Sequence, residues 1–269
     1  MSAEAFSIGG VAAPRWLSGA FRFADGAMRP AGFILICLAA LEILARTLAV
    51  PEVLFPAPSR VLTALVSNAP TICYHAALTV SQVVAALVIS FAVGVAVATI
   101  FTLSRVINDM FAPLFIVLQI IPKIALAPLF VIWFGPGGLS HLSFAVCLSF
   151  FPILAGARAG FEETSADAVR LCSALRASRL QTLIHVKLPM ALPQLFVGAK
   201  VSTTLCIIGV VLGEFVSARA GIGWYIVQAA ALSQTANILA ALVVLSLFGL
   251  LVYGVVAAGE IVVRRRMFG

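Results

Sequence analysis

Charge is scarce in this chain. Only 10% of its 269 residues are Asp, Glu, Lys or Arg, 62% are hydrophobic, and the mean hydropathy is +1.15. An ordinary soluble domain carries about 25% charged and about 45–50% apolar residues. The composition therefore excludes a water-soluble globular enzyme, a disordered chain and a coiled coil. Signatures of catalysis are missing as well. No GxxxxGK[ST] phosphate loop occurs, which excludes a nucleotide-hydrolysing site of that type, and GxSxG, HExxH and CxxC are absent. His75, His141 and His185 fall in separate segments without metal-ligand spacing. The five cysteines, Cys37, Cys73, Cys147, Cys172 and Cys206, are scattered, which argues for packing roles and against a disulfide framework.

What the chain has in abundance is long apolar runs. They make room for about six spans of about 20 residues each. The runs place these at 31–50, 75–102, 111–134, 142–157, 195–216 and 238–263, an all-α polytopic membrane protein with six transmembrane helices. The first thirty residues hold Arg15, Arg22 and Arg29 but no compact apolar core. A cleavable signal is therefore not expected, and a short interfacial helix is predicted around Trp16 to Phe23. Pro51, Pro56 and Pro58 break the chain before an amphipathic segment at 59–67. A polar turn is expected at 105–109, and a loop at 217–237 in which Gly221 and Gly223 turn the chain.

The basic residues fix an orientation. Thirteen Lys and Arg lie in the N-terminal tail, the 103–110 turn, the 158–200 stretch and the C-terminal Arg264–Arg266, against three (Arg46, Arg60, Arg219) on the other side. Positive charge collects on cytoplasmic loops. Both termini and the 158–200 stretch are thus predicted to face the cytoplasm, and the net charge of +7 calls for no nucleic acid.

That stretch reads FEETSADAVRLCSALRASRLQTLIHVKLPMALPQLFVGAK. Thr164 or Ser165 can cap a helix that begins with Glu162, Glu163 and Asp167 and ends with Arg176 and Arg179, the order a helix dipole favours. Ala166, Val169, Leu171, Ala174 and Leu175 give it an apolar face too short to span. A second helical piece, 179–187, is expected to stop at Leu188-Pro189, with Pro193 following. Such a segment either lies on lipid headgroups or docks in a groove of a soluble partner.

The stretch resembles the EAA loop of ABC importer permeases, the segment that forms a coupling helix fitting a cleft on the ATP-hydrolysing subunit. LFPAPSRV, IIPKIALAPLFVIWFGPG and GEFVSARAGIGWYI resemble elements of the nitrate/sulfonate/taurine-type branch, and the similarity covers about 54–260. The resemblance implies a type I importer permease fold: a tail at 1–30, a first span and outer segment at 31–71, a permease domain at 72–263 with its coupling loop at 158–194, and a tail at 264–269. It implies ATPase coupling through Glu163, Asp167, Val169, Arg170, Ala174, Leu175, Arg176, Ala177, Ser178, Leu188 and Pro189. It also implies a second permease copy, an ATP-binding subunit carrying ATP-Mg, an extracytoplasmic solute-binding protein, and location in a bacterial inner membrane, with no cofactor or metal on this chain. Two positions depart from the family pattern. Its loop glycine falls on Arg176 and its leading glutamate on Arg170, so a gentler turn or a different partner groove is expected. LRASR in place of LGASR resembles permeases for vitamin precursors such as thiamine pyrimidine or riboflavin.

Ionisable groups within spans are costly unless paired or facing water. Lys123, between Pro122 and Pro128, and Glu214 are the candidates. Either Lys123 lines a path for a polar or anionic solute, with Pro122 and Glu214 beside it, or it pairs with Glu214 or with a carbonyl freed by Pro128. Glu42 and Arg46, at i,i+4, are expected to pair. An independent secondary transporter or channel would need inverted repeats with matching broken helices, and only the third span is broken. A membrane enzyme would need clustered His, Asp or Cys, which the sequence does not show.

Overall fold

Helix is the only regular structure among the residues that the computed structural model describes, 32–48 and 51–268. The helix expected around Trp16 to Phe23 and the two ends of the first expected span lie outside them. The chain divides into two units, one ending at Leu62 and the other starting at Thr63.

In the first unit, α1 (32–47) carries the Glu42–Arg46 pair at 2.6 Å. Glu42 does more than pair. Its carboxylate accepts the Ser59 amide at 2.9 Å and the Ser59 hydroxyl at 2.8 Å, at the start of α2 (Pro58–Ser67). A carboxylate is favoured there because the first amides of a helix have no partner within it.

The second unit holds the long helices. α3 (Ala69–Leu103) meets α4 (Arg105–Ile120) at Ser104, whose extended backbone and side chain cap the new helix, accepting the Ile107 amide at 3.4 Å. The expected polar turn at 105–109 is thus already helix. At Ile121-Pro122 the chain breaks, passes through a 3₁₀ turn (Lys123–Leu126) and resumes as α5 (Ala127–Phe134), bent by 88°. Proline bars the preceding residue from helical angles, and Ile121 is extended. Pro128, by contrast, sits in the first turn of α5, where a missing N–H costs nothing.

α6 (Gly138–Glu162) leads through α7 (Ala166–Ala174) into α8 (Arg179–Thr182), a π turn (Leu183–Lys187) and α9 (Leu188–Ser217). The break expected at Leu188-Pro189 does not occur, and 179–217 is one continuous helix. Pro189 would clash with the His185 carbonyl one turn back, and the widened π turn relieves this, the Leu188 amide reaching five residues back to Leu183. The expected loop at 217–237 contains α10 (Ile222–Ala231), a short apolar helix, before α11 (Thr235–Phe268), which runs on through Arg264–Arg266.

Among the described residues, four helices are long and apolar enough to cross a membrane: Ala69–Leu103, Gly138–Glu162, Arg179–Ser217 and Thr235–Met267. The bent pair makes a fifth if it is one span. Lipid supplies no hydrophobic drive between helices, so small residues and buried hydroxyls hold them. A β-carbon at Gly198 would stand 2.5 Å from the Pro152 carbonyl oxygen, and one at Gly94 would stand 2.7 Å from the Ile153 side chain. At the same level Ser90 on α3 meets Ser149 on α6 at 2.6 Å, and Ser202 on α9 donates to the Ser149 carbonyl at 2.6 Å. α3, α6 and α9 are therefore locked as a slab, with Ile153, Leu154, Ala157, Ala191 and Leu195 in its core.

Candidate functional site

The segment joining α6 to α9 stands at one end of that slab. Glu162 and Glu163 do not open α7 as expected. α6 continues through Glu162, which pairs with Arg158 at 3.6 Å, and the Glu163 carboxylate accepts both bonds of the Gln194 amide at 3.0 Å, tying the end of α6 to α9. Ser165 caps α7, accepting the Ala168 amide at 3.2 Å, with Asp167 the one acid in the first turn.

α7 ends on Arg176. This residue takes the left-handed conformation (φ 56°) in which glycine is at ease. Its amide donates to the Ser173 carbonyl at 3.0 Å and the Ala177 amide to the Cys172 carbonyl at 2.9 Å. These are the paired bonds of a Schellman stop. The sharp turn is retained despite the arginine, which overturns the expectation of a gentler one. The next helix opens at once, on a reciprocal cap between Ser178 and Gln181. Both ends of α7 are thus satisfied by local bonds, so the helix can stand clear of the bundle. It does: no residue of α7 is buried, Leu171 is 62% and Leu175 74% exposed, Ala174 is exposed, and Asp167 and Arg170 face solvent with a 3.7 Å pair between them. Val169 and Ala177 point the other way, into a cleft beneath, and Leu188 and Pro189 lie within the continuous helix.

The bent pair positions Lys123. Its ammonium donates to the Gln119 carbonyl at 3.5 Å and lies 4.7 Å from the centre of the Phe151 ring. The break at Ile121-Pro122 leaves the last carbonyls of α4 without intrahelical donors, and Lys123 answers one of them. Pro128 frees none.

Glu214 is elsewhere. Only 1% exposed, it accepts the Thr79 hydroxyl at 2.8 Å and the Gly223 amide at 2.8 Å, while Thr79 accepts the Ile222 amide at 2.8 Å. Gly221, at φ 115°, lets the chain fold over this carboxylate, and its amide donates to His75 Nδ1 at 3.1 Å. The network clasps the start of α10 to α3 and α9. The structure therefore does not bring Lys123 and Glu214 together, and the pairing considered from sequence is not formed.

Two features escaped the sequence reading. Lys200, counted there with the charged stretch, lies inside α9 and pairs with Glu260 of α11 at 2.8 Å. Each is a lone charge in an apolar run, and that was the available signal. Arg179 reaches the Leu103 carbonyl at 3.4 Å, fastening the α3–α4 turn to the segment after α7.

The profile of the family described as "Binding-protein-dependent transport system inner membrane component" matches residues 89–267. The chain is 32% identical over 203 residues to a "Probable ABC transporter permease protein" of Haemophilus influenzae, covering 76% of this chain and 83% of the relative. It is 27% identical over 226 residues to the formylaminopyrimidine transport permease protein ThiX of Halalkalibacterium halodurans, covering 84% and 90%. It is 28% identical over 203 residues to the taurine transport system permease protein TauC of Escherichia coli, covering 73% and 74%.

Proposed function

This chain belongs to the family of binding-protein-dependent transport system inner membrane components, and on that premise we propose that it forms the path of a small polar or anionic solute in an ATP-driven importer. A component of this family is a non-catalytic transmembrane subunit. In this reading two copies of the chain, with six spans each, surround one path. ATP-Mg is held and hydrolysed on a separate subunit, and a solute-binding protein delivers cargo from outside. Relatives named for taurine and for formylaminopyrimidine support a small sulfonate or a vitamin precursor as the substrate class. The Lys123 ammonium beside the break in the bent pair favours an anion on that path.

Orientation follows from charge. The Arg179–Leu103 and Lys200–Glu260 bonds gather the α3–α4 turn, the segment around α7 and the C-terminal end of α11 at one end. Arg105, Arg158, Arg170, Arg176, Arg179, Lys187 and Arg264–Arg266 cluster there, against Arg219 at the opposite end of the second unit. That asymmetry supports a cytoplasmic α7 end.

The observation that carries the reading is α7 itself, a capped helix with exposed leucines, standing free on a slab whose helices cannot slide at their glycine contacts. Closing the ATPase dimer would draw the two copies of α7 together and, through α6 and α9, tilt the bundles to open the path outward; hydrolysis would reverse the change. The test is the double variant Leu171→Asp/Leu175→Asp. Both side chains are exposed, so the permease should fold and enter membranes normally, but the ATP-hydrolysing subunit should no longer co-purify. Undiminished co-purification removes the docking role.

A further inference from the structure

Beneath α7 lies an open cleft of about 740 Å³, walled by α7, the α3–α4 turn and the helix that starts at Arg179. Arg179 and Lys187 both line it, and among the described residues no carboxylate does. The acids on the surrounding segments are already engaged: Glu162 with Arg158, Glu163 with Gln194, Asp167 with Arg170 and Asp109 with Asn108. The hydroxyls of Thr102, Ser173 and Thr182 turn their protons onto carbonyls one turn back. They make the cleft wet without offering donors. Arg179 spends one N–H on the Leu103 carbonyl, and the Lys187 ammonium has no partner among the described residues. Two cations thus line a cleft that no carboxylate lines, and Lys187 also borders the adjoining cleft where Glu162 is held by Arg158. An ammonium set this way gains most from a carboxylate brought in from outside.

Taking the docking of α7 as given, we infer that the cleft receives an acidic side chain of the ATP-hydrolysing subunit, held by Arg179 and Lys187. A surface that clasps the outer, leucine-bearing side of α7 has its rim over the cleft mouth. The rim that fits is acidic, because Arg170 and the one acid of α7 offset each other and Arg176 at its end is left in excess. The partner's groove is therefore apolar at its floor and negative at its edge. The ATPase subunit is thereby selected by charge as well as by shape, and the carboxylate in the cleft ties it to the α3–α4 turn in addition to α7.

The experiment uses the complete complex in lipid nanodiscs, treated with a carbodiimide that joins amines to carboxylates in direct contact. Mass spectrometry should find Lys187 joined to an Asp or Glu of the ATP-hydrolysing subunit, and Lys187→Gln should abolish that product. The pair Arg179→Gln/Lys187→Gln should weaken association of the subunit about tenfold at low salt and flatten its salt dependence. Lys187→Arg should retain association. Permease thermal unfolding should be unchanged in the Lys187 variants, and in the pair no lower than in Arg179→Gln alone, which loses the Leu103 bond; this separates lost contact from lost fold. Three results overturn the inference: Lys187 joined only to Glu162 of its own chain, full and equally salt-dependent association in the double variant, or loss only of binding to phosphatidylglycerol vesicles. If Leu171→Asp/Leu175→Asp abolishes association while the Arg179/Lys187 pair leaves it intact, docking stands and the acidic partner falls. If both variants associate normally, docking itself falls.

Discussion

Arg176 holds the left-handed turn that ends α7, a conformation in which glycine is at ease. The family resemblance puts a glycine there, and of the two consequences expected of an arginine, a gentler turn or a different partner groove, the structure bears on the first. The backbone decides otherwise: the amides of Arg176 and Ala177 both find carbonyls of α7 only if residue 176 is left-handed, so the chain accepts the strain at φ 56°. A non-glycine residue in that conformation costs roughly 1–2 kcal/mol, partly offset by the greater freedom glycine has when unfolded. Arg176→Gly should therefore keep the turn and stabilise it by about 1 kcal/mol, slowing hydrogen exchange of the Ala177 amide about fivefold. Exchange that is unchanged or faster would show that the turn is not held by these bonds. Glu214 is the reverse case. The sequence marked it as a lone acid in an apolar helix but gave no hint that its partners are a hydroxyl 135 residues away and an amide nine residues on.

Among the elements, helix was legible wherever apolar runs were long, but proline marked a boundary only at some positions: the interruption expected at Pro113 does not occur, and that proline lies inside α4. The bend at Ile121-Pro122 follows from the residue types alone. The continuity of α9 through Pro189 does not, because it depends on a π turn that only the packed structure reveals. α10 was missed because ten apolar residues are too few to span, and its docking rests on tertiary bonds to Thr79, His75 and Glu214. The bent pair also places a cation at a break with spare carbonyls, which under the proposed function would give the path its sign. Replacing Lys123 by Met should lower uptake of an anionic solute by about tenfold, the weight of one charged hydrogen bond. Lys123→Arg should keep most of that uptake, since the charge remains. Equal uptake by Met, Arg and wild type would make Lys123 a strut for α4 and not part of the path.

At the scale of the whole molecule, composition and the asymmetry of basic residues already indicated a membrane bundle with a charged segment on one face. The contacts that turn this into a lever were not legible: the serine and glycine seams of α3, α6 and α9, the tie from Glu163 to Gln194, and the pair Lys200–Glu260 all join residues far apart in the chain. In the proposed mechanism they would let a force applied at α7 tilt the spans as one body. A component of this family is a non-catalytic subunit, so in that mechanism the force comes from a partner. The most direct test reconstitutes the permease in liposomes with ATP-Mg on the α7 side and solute-loaded binding protein on the other, with and without the ATP-hydrolysing subunit. Solute should accumulate only when that subunit is present and ATP is consumed; accumulation by the permease alone would contradict the account.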